Sequence, residues 1–309
     1  MTLAVLIPTW KRPKMLHRCL EHLGALNDYP DMVYIVTRQD DQESIDVIKR
    51  FESKLPISHV IVEEEGVIHA ENAGLKEIKE EIVCFLDDDA YVPKEWISRI
   101  KRHFENEEII GVGGPDLIIR QIKDNYRRNV STVGKLTWYG NPIGNHHHKV
   151  SKIHDVDILK GVNMSFRKKS LTYLDTNLQS AITDGNGSFW ELDLCMNLKG
   201  KGRLIFDPSL EVEHDSDHSH FIEDKVIYNN SRNYTYVMIK NYSFIQKIFF
   251  FIYISLIGNS NTWGFLKLVQ QILKGHTNPL RHYKISIKGL LKGFKVARQT
   301  KVQPRYICP

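Results

Sequence analysis

Short apolar runs alternate with amphipathic stretches from residue 3 to residue 86. Each run is typical of a buried β-strand: LAVLIPTW at 3–10, MVYIV at 32–36, HVIVEE at 59–64 and IVCFL at 82–86. The stretches between them, at 13–26, 43–51 and 71–81, have helical character, with apolar residues spaced three and four apart in the first of them. This order predicts βαβ units, and therefore an α/β fold with a mostly parallel central sheet flanked by helices.

The pattern is less regular after Trp96. We predict a helix at 94–105, strands at 109–114, 203–208 and 210–214, two short strands joined by a turn within 156–168, and a helix at 188–199. A polar stretch that continues to His148 is typical of loops. The length of 309 residues allows one large domain or two modest ones.

Chemically active side chains follow three of the predicted strands. Pro8 to Arg12 comes after the first strand, Thr37 to Asp41 after the second, and Asp87 to Asp89 after the fourth. Ligands of open α/β sheets bind at the carboxyl ends of the strands. We therefore expect these three segments to lie along one edge of the sheet and to form a binding site.

Three consecutive carboxylates, Asp87, Asp88 and Asp89, end an apolar strand. Crowded carboxylates raise one another's pKa unless a cation neutralises them, and a divalent ion with oxygen ligands does this. The alternative is a helix N-cap before Pro93 to Trp96, where aspartate is favoured. One aspartate would be enough for a cap, so three favour a metal site.

Several segments, in this order, resemble the motifs of family 2 glycosyltransferases. They are LAVLIPTWKRP, ENAGL, IVCFLDDDAYVPKEWI, GVNMSFRK and WELDLCMNLKGKGRLIFDPSLEVEH, within residues 3–215. The resemblance implies a GT-A fold, which is a Rossmann-like nucleotide-diphospho-sugar transferase fold. It also implies an inverting, metal-dependent enzyme of the bacterial polysaccharide type.

The resemblance assigns a metal site to the acidic triplet. Asp87 and Asp89 match the family's DxD motif, which holds Mg²⁺ or Mn²⁺ on the diphosphate of a nucleotide sugar. Asp88 is the middle residue, and we include it among the donor-binding residues. His214 matches a histidine that completes the metal or diphosphate site in many relatives, although a histidine that ends a strand is often structural.

The resemblance assigns the donor nucleotide to several residues: Pro8, Thr9, Trp10, Arg12, Asp40, Asp41 and Asn72. Trp10 either stacks on the base or belongs to the core, and Asp40 and Asp41 either contact the base or cap the helix at 43–51. One position departs from the family pattern, because Glu71 stands where relatives often have an arginine that holds the nucleotide. A carboxylate cannot pair with phosphate in that way.

Glu191 is the predicted catalytic base. The segment WELDL matches the family's ED-x-DL segment, with Trp190 and Glu191 at the first two positions and Asp193 at the fourth. A base must take the proton of the acceptor hydroxyl as that oxygen attacks the anomeric carbon. Asp193 lies about 200° further round a helix, so both acids cannot face one acceptor. The alternative is that Glu191 is an ordinary acid of a first helical turn.

Charge divides the chain unevenly. From Lys225 to the end there are 14 Lys and Arg and no Asp or Glu, whereas residues 1–224 have a balance of −9. The apolar segment 244–258 is shorter than the roughly 20 residues of a membrane-spanning helix, so it is either a buried helix or one that lies in the membrane interface. Residues 281–298 predict a helix with a basic face and an apolar face, which favours an anionic membrane surface over nucleic acid. Packing of that apolar face on the core is the alternative.

The predicted organisation is a glycosyltransferase domain at 1–220, with a donor half at 1–105 and an acceptor half at 106–220, followed by a basic helical extension at 221–309. The expected partners are a nucleotide-sugar donor, a glycan or lipid-linked glycan acceptor and the membrane. Four widely spaced cysteines and no signal peptide favour a cytoplasmic location, peripheral on the inner face of the cell membrane. A sugar-phosphate nucleotidyltransferase and a non-catalytic glycan-binding protein are the alternatives.

Overall fold

The computed structural model describes residues 1–119, 127–179, 187–215, 224–300 and 307. The strands are β1 (Leu3–Pro8), β2 (Met32–Arg38), β3 (Ile57–Val62), β4 (Ile82–Leu86), β5 (Ala90–Tyr91), β6 (Ile109–Gly113), β7 (Asp116–Ile118), β8 (Lys135–Leu136), β9 (Pro142–Ile143), β10 (His154–Val156), β11 (Asn163–Arg167), β12 (Arg203–Phe206) and β13 (Val212–His214). The helices are α1 (Pro13–Leu23), α2 (Gln42–Phe51), α3 (Val67–Glu77), α4 (Trp96–His103), α5 (Trp190–Asn197), α6 (Asp224–Asn241), α7 (Phe244–Leu256), α8 (Phe265–Leu273) and α9 (Pro279–Gln299).

A central sheet of eight strands has the order β10-β12-β6-β11-β4-β1-β2-β3. Strands β3, β2, β1 and β4 pair in parallel, and β6 pairs in parallel with β12. Strand β11 is antiparallel to both β4 and β6, and β10 is antiparallel to β12. The predicted mostly parallel sheet is therefore confirmed, and β11 begins at the edge where β4 ends.

Both faces of the sheet are covered, which explains why β1 is apolar at every position from Leu3 to Ile7. Leu3, Val5 and Ile7 pack with α1, α2 and α4 on one face, whereas Ala4 and Leu6 pack with α3 and α5 on the other. A strand buried on both faces cannot shift in register without displacing two cores. The carboxyl end of β1 is therefore fixed relative to that of β4.

Helix α3 begins earlier than the sequence predicts. It spans Val67–Glu77 rather than 71–81, because Ile78 turns to an extended conformation and packs in the core. Gly66 precedes the helix with φ of 115°, a value that favours glycine, and a Cβ there would overlap the side chain of Gln179. The predicted helix 94–105 likewise shortens to α4, whose first residue, Trp96, is buried.

A second, smaller sheet has the order β5-β13-β7. Strand β13 is antiparallel to β5, with His214 opposite Ala90, and parallel to β7, with Val212 opposite Asp116. The backbone N–H of Asp215 also donates to the carbonyl of Asp89 at 2.9 Å. This sheet therefore brings β7 and β13, which are distant in sequence, to the end of β4.

The C-terminal region is helical, as predicted. Helix α9 packs on α6 at Gly289 and Gly293, where a Cβ would lie 2.5 Å or less from backbone oxygens of α6. Leu290 is buried in this contact, while Lys288 and Lys292 are exposed. The apolar face of residues 281–298 is thus largely covered by α6, which is the packing alternative. Among the helices described, none has both the length and the apolar character required to cross a membrane.

A buried charge cluster joins α5 to α6. Lys240 Nζ lies 2.7 Å from Asp193 Oδ2 and 2.8 Å from Asp175 Oδ2, and Asn241 donates to Asp193 at 2.9 Å. Burial raises the pKa of Asp193 even though Lys240 opposes that shift. The pair therefore fixes the position of α5 more than it adds stability, because desolvation offsets much of the attraction.

We expect Asp193→Ala to lower the free energy of unfolding by about 3 kcal/mol, because it removes one of the two carboxylates that hold the buried ammonium of Lys240 and leaves the amide of Asn241 without this acceptor. Chemical denaturation measures this loss. The control is Asp155→Ala, which removes the exposed partner of Arg203 and should cost much less. Equal losses in the two variants would contradict a structural role for the α5–α6 cluster.

Candidate active site

A cleft with a volume of about 710 Å³ lies over the carboxyl ends of β1 and β4. This volume suits a ligand of intermediate size, such as a nucleotide sugar. The cleft is lined by residues from the loop after β1, the ends of β2, β3 and β4, the segment that leads into α3, the segment before β11, the start of α5, β13 and α6. The sheet edge predicted from the sequence is therefore the floor of the cavity.

The loop after β1 places Thr9, Trp10 and Arg12 in the cleft. Lys11 has φ of 54°, and its backbone N–H donates to Asp41 Oδ2 at 2.5 Å, which holds this turn. Trp10 is 42% exposed and is not a core residue. The guanidinium of Arg38 lies 5.4 Å from the Trp10 ring centroid. The indole therefore lies at the mouth of the cleft, with the cations of Lys11 and Arg38 near its ring.

Two residues of the acidic triplet, Asp88 and Asp89, are hydrogen-bonded to the loop after β1. Thr9 Oγ1 donates to Asp88 Oδ2 at 2.6 Å, and Arg12 Nη1 donates to Asp88 Oδ1 at 2.6 Å. The other Arg12 amine, Nη2, donates to Asp89. The cap alternative is wrong, since α4 begins after Glu95 and has no side-chain cap. Arg12 thus neutralises part of the triplet charge from the side of the loop after β1.

His214 lies between two buried carboxylates. Its Nε2 is 3.2 Å from Asp89 Oδ1, and its Nδ1 is 2.9 Å from Asp116 Oδ1. The ammonium of Lys160, which also lines the cleft, pairs with the other oxygen of Asp116. Asp116 therefore orients His214 through one ring nitrogen and leaves the other directed at Asp89.

Asp87, Asp89 and His214 each offer a ligand atom, and these atoms lie within 4.8 Å of one another. Two carboxylates and one imidazole are a donor set that could hold a divalent ion, with the cleft leaving room for further oxygen ligands. Asp87 is partly exposed to the cleft, whereas Asp89 and His214 are buried. The three residues that the sequence proposes as metal ligands are thus brought together.

The pKa values follow from burial and from these partners. Burial, reinforced by Asp89, raises the pKa of Asp87 to about 6. Burial also raises the pKa of Asp88 to about 7, against the opposing effects of Arg12 and Thr9. For Asp89, His214 and Arg12 outweigh burial and lower the pKa. Burial lowers the pKa of His214, but hydrogen bonds to Asp116 and Asp89 outweigh it and raise the pKa to about 10.

Glu191 lies in the first turn of α5 and lines the cleft with Asp87. Gly161 makes room for it, since a Cβ at Gly161 would lie 2.9 Å from the Trp190 ring and 3.1 Å from Glu191. Burial raises the pKa of Glu191, and the charge of Asp87 adds to that shift. Asp193 is turned into the α5–α6 cluster, so Glu191 is the acid of this segment that faces the cavity.

Glu71, which replaces the arginine of the family pattern, is buried with 1% of its surface exposed. Burial raises its pKa well above the ordinary value, and Asp87 and Glu191 add to this. Within the described residues its Oε2 has no hydrogen-bond partner. Glu71 does not line the cleft, so its carboxyl group is not among the atoms that the cleft presents to a ligand.

Three predicted donor-binding residues do not line the cleft. Asp41 accepts from the backbone N–H of Ser44 at 3.2 Å and caps α2, which is the alternative reading of this residue. Asp40 lies at the surface near Arg38 and Lys11. Asn72 exchanges two hydrogen bonds with the backbone of Leu174 and ties α3 to that loop.

Three charged residues of the site were not singled out from the sequence. Lys160 directly precedes the Gly161 of the GVNMSFR segment, and Asp116 follows a strand end, so each had a local signal. Arg38, at the end of β2, lines the cleft and donates to Glu65 at 2.5 Å. Their roles depend on contacts between distant parts of the chain. Asp116, for example, contacts His214 although 98 residues separate them in sequence.

Comparison with solved structures supports this architecture. A mannosyltransferase of Pyrobaculum calidifontis, PcManGT, solved with GDP-Man and Mn²⁺, has a TM-score of 0.58 at 14% identity over 97% of this chain and 88% of its own. The S. aureus TarS fragment 1–349 with UDP-GlcNAc has a TM-score of 0.56 at 15% identity, over 97% of this chain and 91% of its own. GalNAc-T7 with UDP, GalNAc and Mn²⁺ has a TM-score of 0.57 at 14% identity, over 97% and 56%.

At these identities the likeness to solved structures shows the fold, which is that of GT-A glycosyltransferases. A search among curated proteins finds no significant sequence match. The sequence profile described as "Glycosyl transferase family 2" matches residues 4–174, which is more than half of the chain. The chain therefore belongs to glycosyl transferase family 2 and is a glycosyltransferase with the GT-A fold.

Proposed function

We propose that this enzyme transfers a sugar, with inversion, from a nucleotide-diphosphate donor to a hydroxyl group of a glycan in a metal-dependent reaction. The observation that carries this proposal is the composition of one cleft. The cleft has a cluster of metal-ligand atoms on Asp87, Asp89 and His214, and the carboxyl group of Glu191 as well. A donor diphosphate bound at the cluster would leave its sugar exposed to an acceptor beside Glu191.

The donor is best accommodated along the loop after β1. The exposed indole of Trp10 suits a base or ribose, and Thr9 and Asp88 present polar atoms beside it. Arg12 and Lys160 supply positive charge to the cleft, which suits a diphosphate. Relatives of the same fold have been solved with GDP-Man and with UDP-GlcNAc, which supports a nucleotide sugar as the substrate class.

Asp87, Asp89 and His214 would hold the divalent ion, Mn²⁺ or Mg²⁺. When bound, such an ion supplies Lewis-acid stabilisation of the charge on the departing nucleoside diphosphate. The chain contributes by fixing the ligands: Asp116 orients the imidazole of His214, and the β5–β13 pairing holds His214 opposite the residue after Asp89. Mn²⁺ in the PcManGT and GalNAc-T7 structures supports this role.

Glu191 would accept the proton of the acceptor hydroxyl. Its raised pKa brings this carboxylate closer to the proton affinity that a general base needs near neutral pH. Attack from the face opposite the diphosphate inverts the anomeric carbon. Gly161 and the α5–α6 cluster fix the position of the carboxylate, so its orientation is set before an acceptor binds.

The division into a donor half at 1–105 and an acceptor half at 106–220 fits this scheme. The proposed nucleotide contacts and the acidic triplet come from the first half, whereas Glu191 and His214 come from the second. We extend the proposal to a lipid-linked glycan acceptor in surface polysaccharide synthesis, on the inner face of the cell membrane. Three buried, free cysteines, Cys19, Cys84 and Cys195, are consistent with a reducing compartment.

We expect Asp89→Asn to abolish the rise in melting temperature that Mn²⁺ and a nucleoside diphosphate together produce in the wild-type enzyme. A ligand that binds only the folded state stabilises it by mass action, and the amide is a poorer metal ligand. The matched control is Asp46→Asn on the exposed face of α2, which should keep the full rise. An undiminished rise in Asp89→Asn would refute the metal site.

We expect Glu191→Gln to lower the rate of sugar transfer by at least about 100-fold, since the amide cannot accept the proton. Donor binding, followed by thermal shift, should be retained. Release of free nucleoside diphosphate in a panel of nucleotide sugars measures the reaction, and pyrophosphate in its place would indicate a nucleotidyltransferase. Glu213→Gln, at an exposed position of β13, is the control. Full activity of Glu191→Gln would exclude this base.

A further inference from the structure

Helix α7 presents a broad apolar face to solvent. Phe250, Tyr253 and Ile254 are buried against the protein, whereas Phe244 is 77% exposed and Ile245 is 65% exposed. With about 100° between successive residues, the buried side chains occupy one side of the helix and the exposed ones the other. A soluble monomer rarely leaves so many contiguous large apolar side chains in water.

Helix α8 continues this apolar exposure. Phe265, Leu266 and Ile272 are exposed, and Leu273 is 82% exposed, while Leu268 packs inward. The turn between α7 and α8 requires glycine, since a Cβ at Gly258, with φ of 74°, would lie 2.1 Å from the nitrogen of Gly264. The turn holds the two helices in contact with each other, and we call their exposed apolar residues together the α7–α8 surface.

Trp138 adjoins the α7–α8 surface. It lies in the turn between β8 and β9, is 57% exposed, and its ring centroid is 4.7 Å from that of Phe249. Tyr253 on the buried side of α7 donates to Asn141 at 2.7 Å, which ties the same turn to the helix. An indole at the border of an apolar surface is typical of a group that lies at a membrane–water interface.

The segment that carries this surface has basic residues and no acidic ones. No Asp or Glu occurs after Asp224 in the sequence. Lys274 follows α8 directly, and Arg281, near the start of α9, pairs with Asp224. On α9, Lys284, Lys288 and Lys292 are exposed because its opposite face packs on α6. Apolar side chains next to basic ones match both layers of an anionic lipid surface, its acyl region and its head groups.

We propose that the α7–α8 surface, with Trp138, docks the protein on an anionic lipid bilayer. Helices that are half buried in the protein and apolar on the other side lie in the plane of the interface. The charge favours lipid over a second copy of the chain, because self-association through this surface would bring two basic regions together. The sequence predicts a basic amphipathic helix at 281–298 and, at 244–258, either a buried helix or one that lies in the membrane interface. The exposed side chains of α7 favour the interfacial alternative for 244–258, and those of α8 extend it.

The α7–α8 surface is separate from the residues that bind donor or act on acceptor. Helix α6 connects the two, since Asn229 and Asn230 line the cleft and α7 begins two residues after α6 ends. Docking would therefore set the orientation of the cleft relative to the bilayer. The proposal does not depend on the assigned chemistry, and transfer to a soluble acceptor tests that chemistry independently.

The test is co-sedimentation with vesicles, using the double variant Ile245→Glu with Leu273→Glu. We expect the wild-type chain to sediment with mixed phosphatidylcholine and phosphatidylglycerol vesicles and not with phosphatidylcholine alone. The double variant should bind at least about tenfold less, because two carboxylates enter both the apolar contact and the anionic field. The control is Tyr29→Glu with Ile61→Glu, which adds the same charge at exposed apolar positions elsewhere and should bind nearly as well as wild type.

Equal vesicle binding by the double variant and the control would overturn the proposal, as would absence of wild-type binding to phosphatidylglycerol. A wild-type dimer that the double variant converts to monomer, without vesicle binding, would assign the surface to self-association instead. Ile245→Ser with Leu273→Ser keeps the charge unchanged, so reduced binding there isolates the apolar contribution. If circular dichroism shows that the variant with two glutamates is unfolded, the variant with two serines serves as the test in its place.

Discussion

The crowding of three carboxylates at the end of β4 determines the arrangement of the active site. Asp88 and Asp89 are buried and lie next to each other, so their charge requires positive or hydrogen-bonding neighbours. Thr9 and Arg12 supply these on one side, and His214 supplies them on the other. The β1 loop and the second sheet therefore meet at the triplet because each satisfies part of its charge.

Most of the α/β core follows from local sequence pattern. The apolar runs that become β1, β2 and β4 are buried on both faces, so their composition alone distinguishes them from the amphipathic helices. Asp87, Asp89, His214 and Glu191 were singled out because their segments resemble family motifs, and the structure brings them together around the cleft. The boundaries of α3 were misplaced because they depend on Gly66 and on the core position of Ile78.

Other features were beyond prediction because they are contacts between distant segments. The orientation of His214 depends on Asp116, and the direction of Asp193 depends on Lys240 in α6, neither of which a local motif encodes. Asp41 had two readings with equal sequence support, and the backbone of α2 decides between them. Gly289 and Gly293 let α9 pack closely on α6, whereas the apolar composition of 244–258 does not show by itself which side chains of α7 are covered and which are exposed.

The central claim is that Asp87, Asp89 and His214 form one divalent-metal site at which the donor diphosphate binds. The most direct test is a crystal structure of the enzyme with Mn²⁺ and a nucleoside diphosphate, in which anomalous scattering locates the manganese. We predict manganese bound to a carboxylate of the triplet and to His214, with the nucleotide along Thr9 and Trp10. Manganese bound elsewhere, with the contacts of Asp89 to Arg12 and His214 unchanged, would contradict the claim.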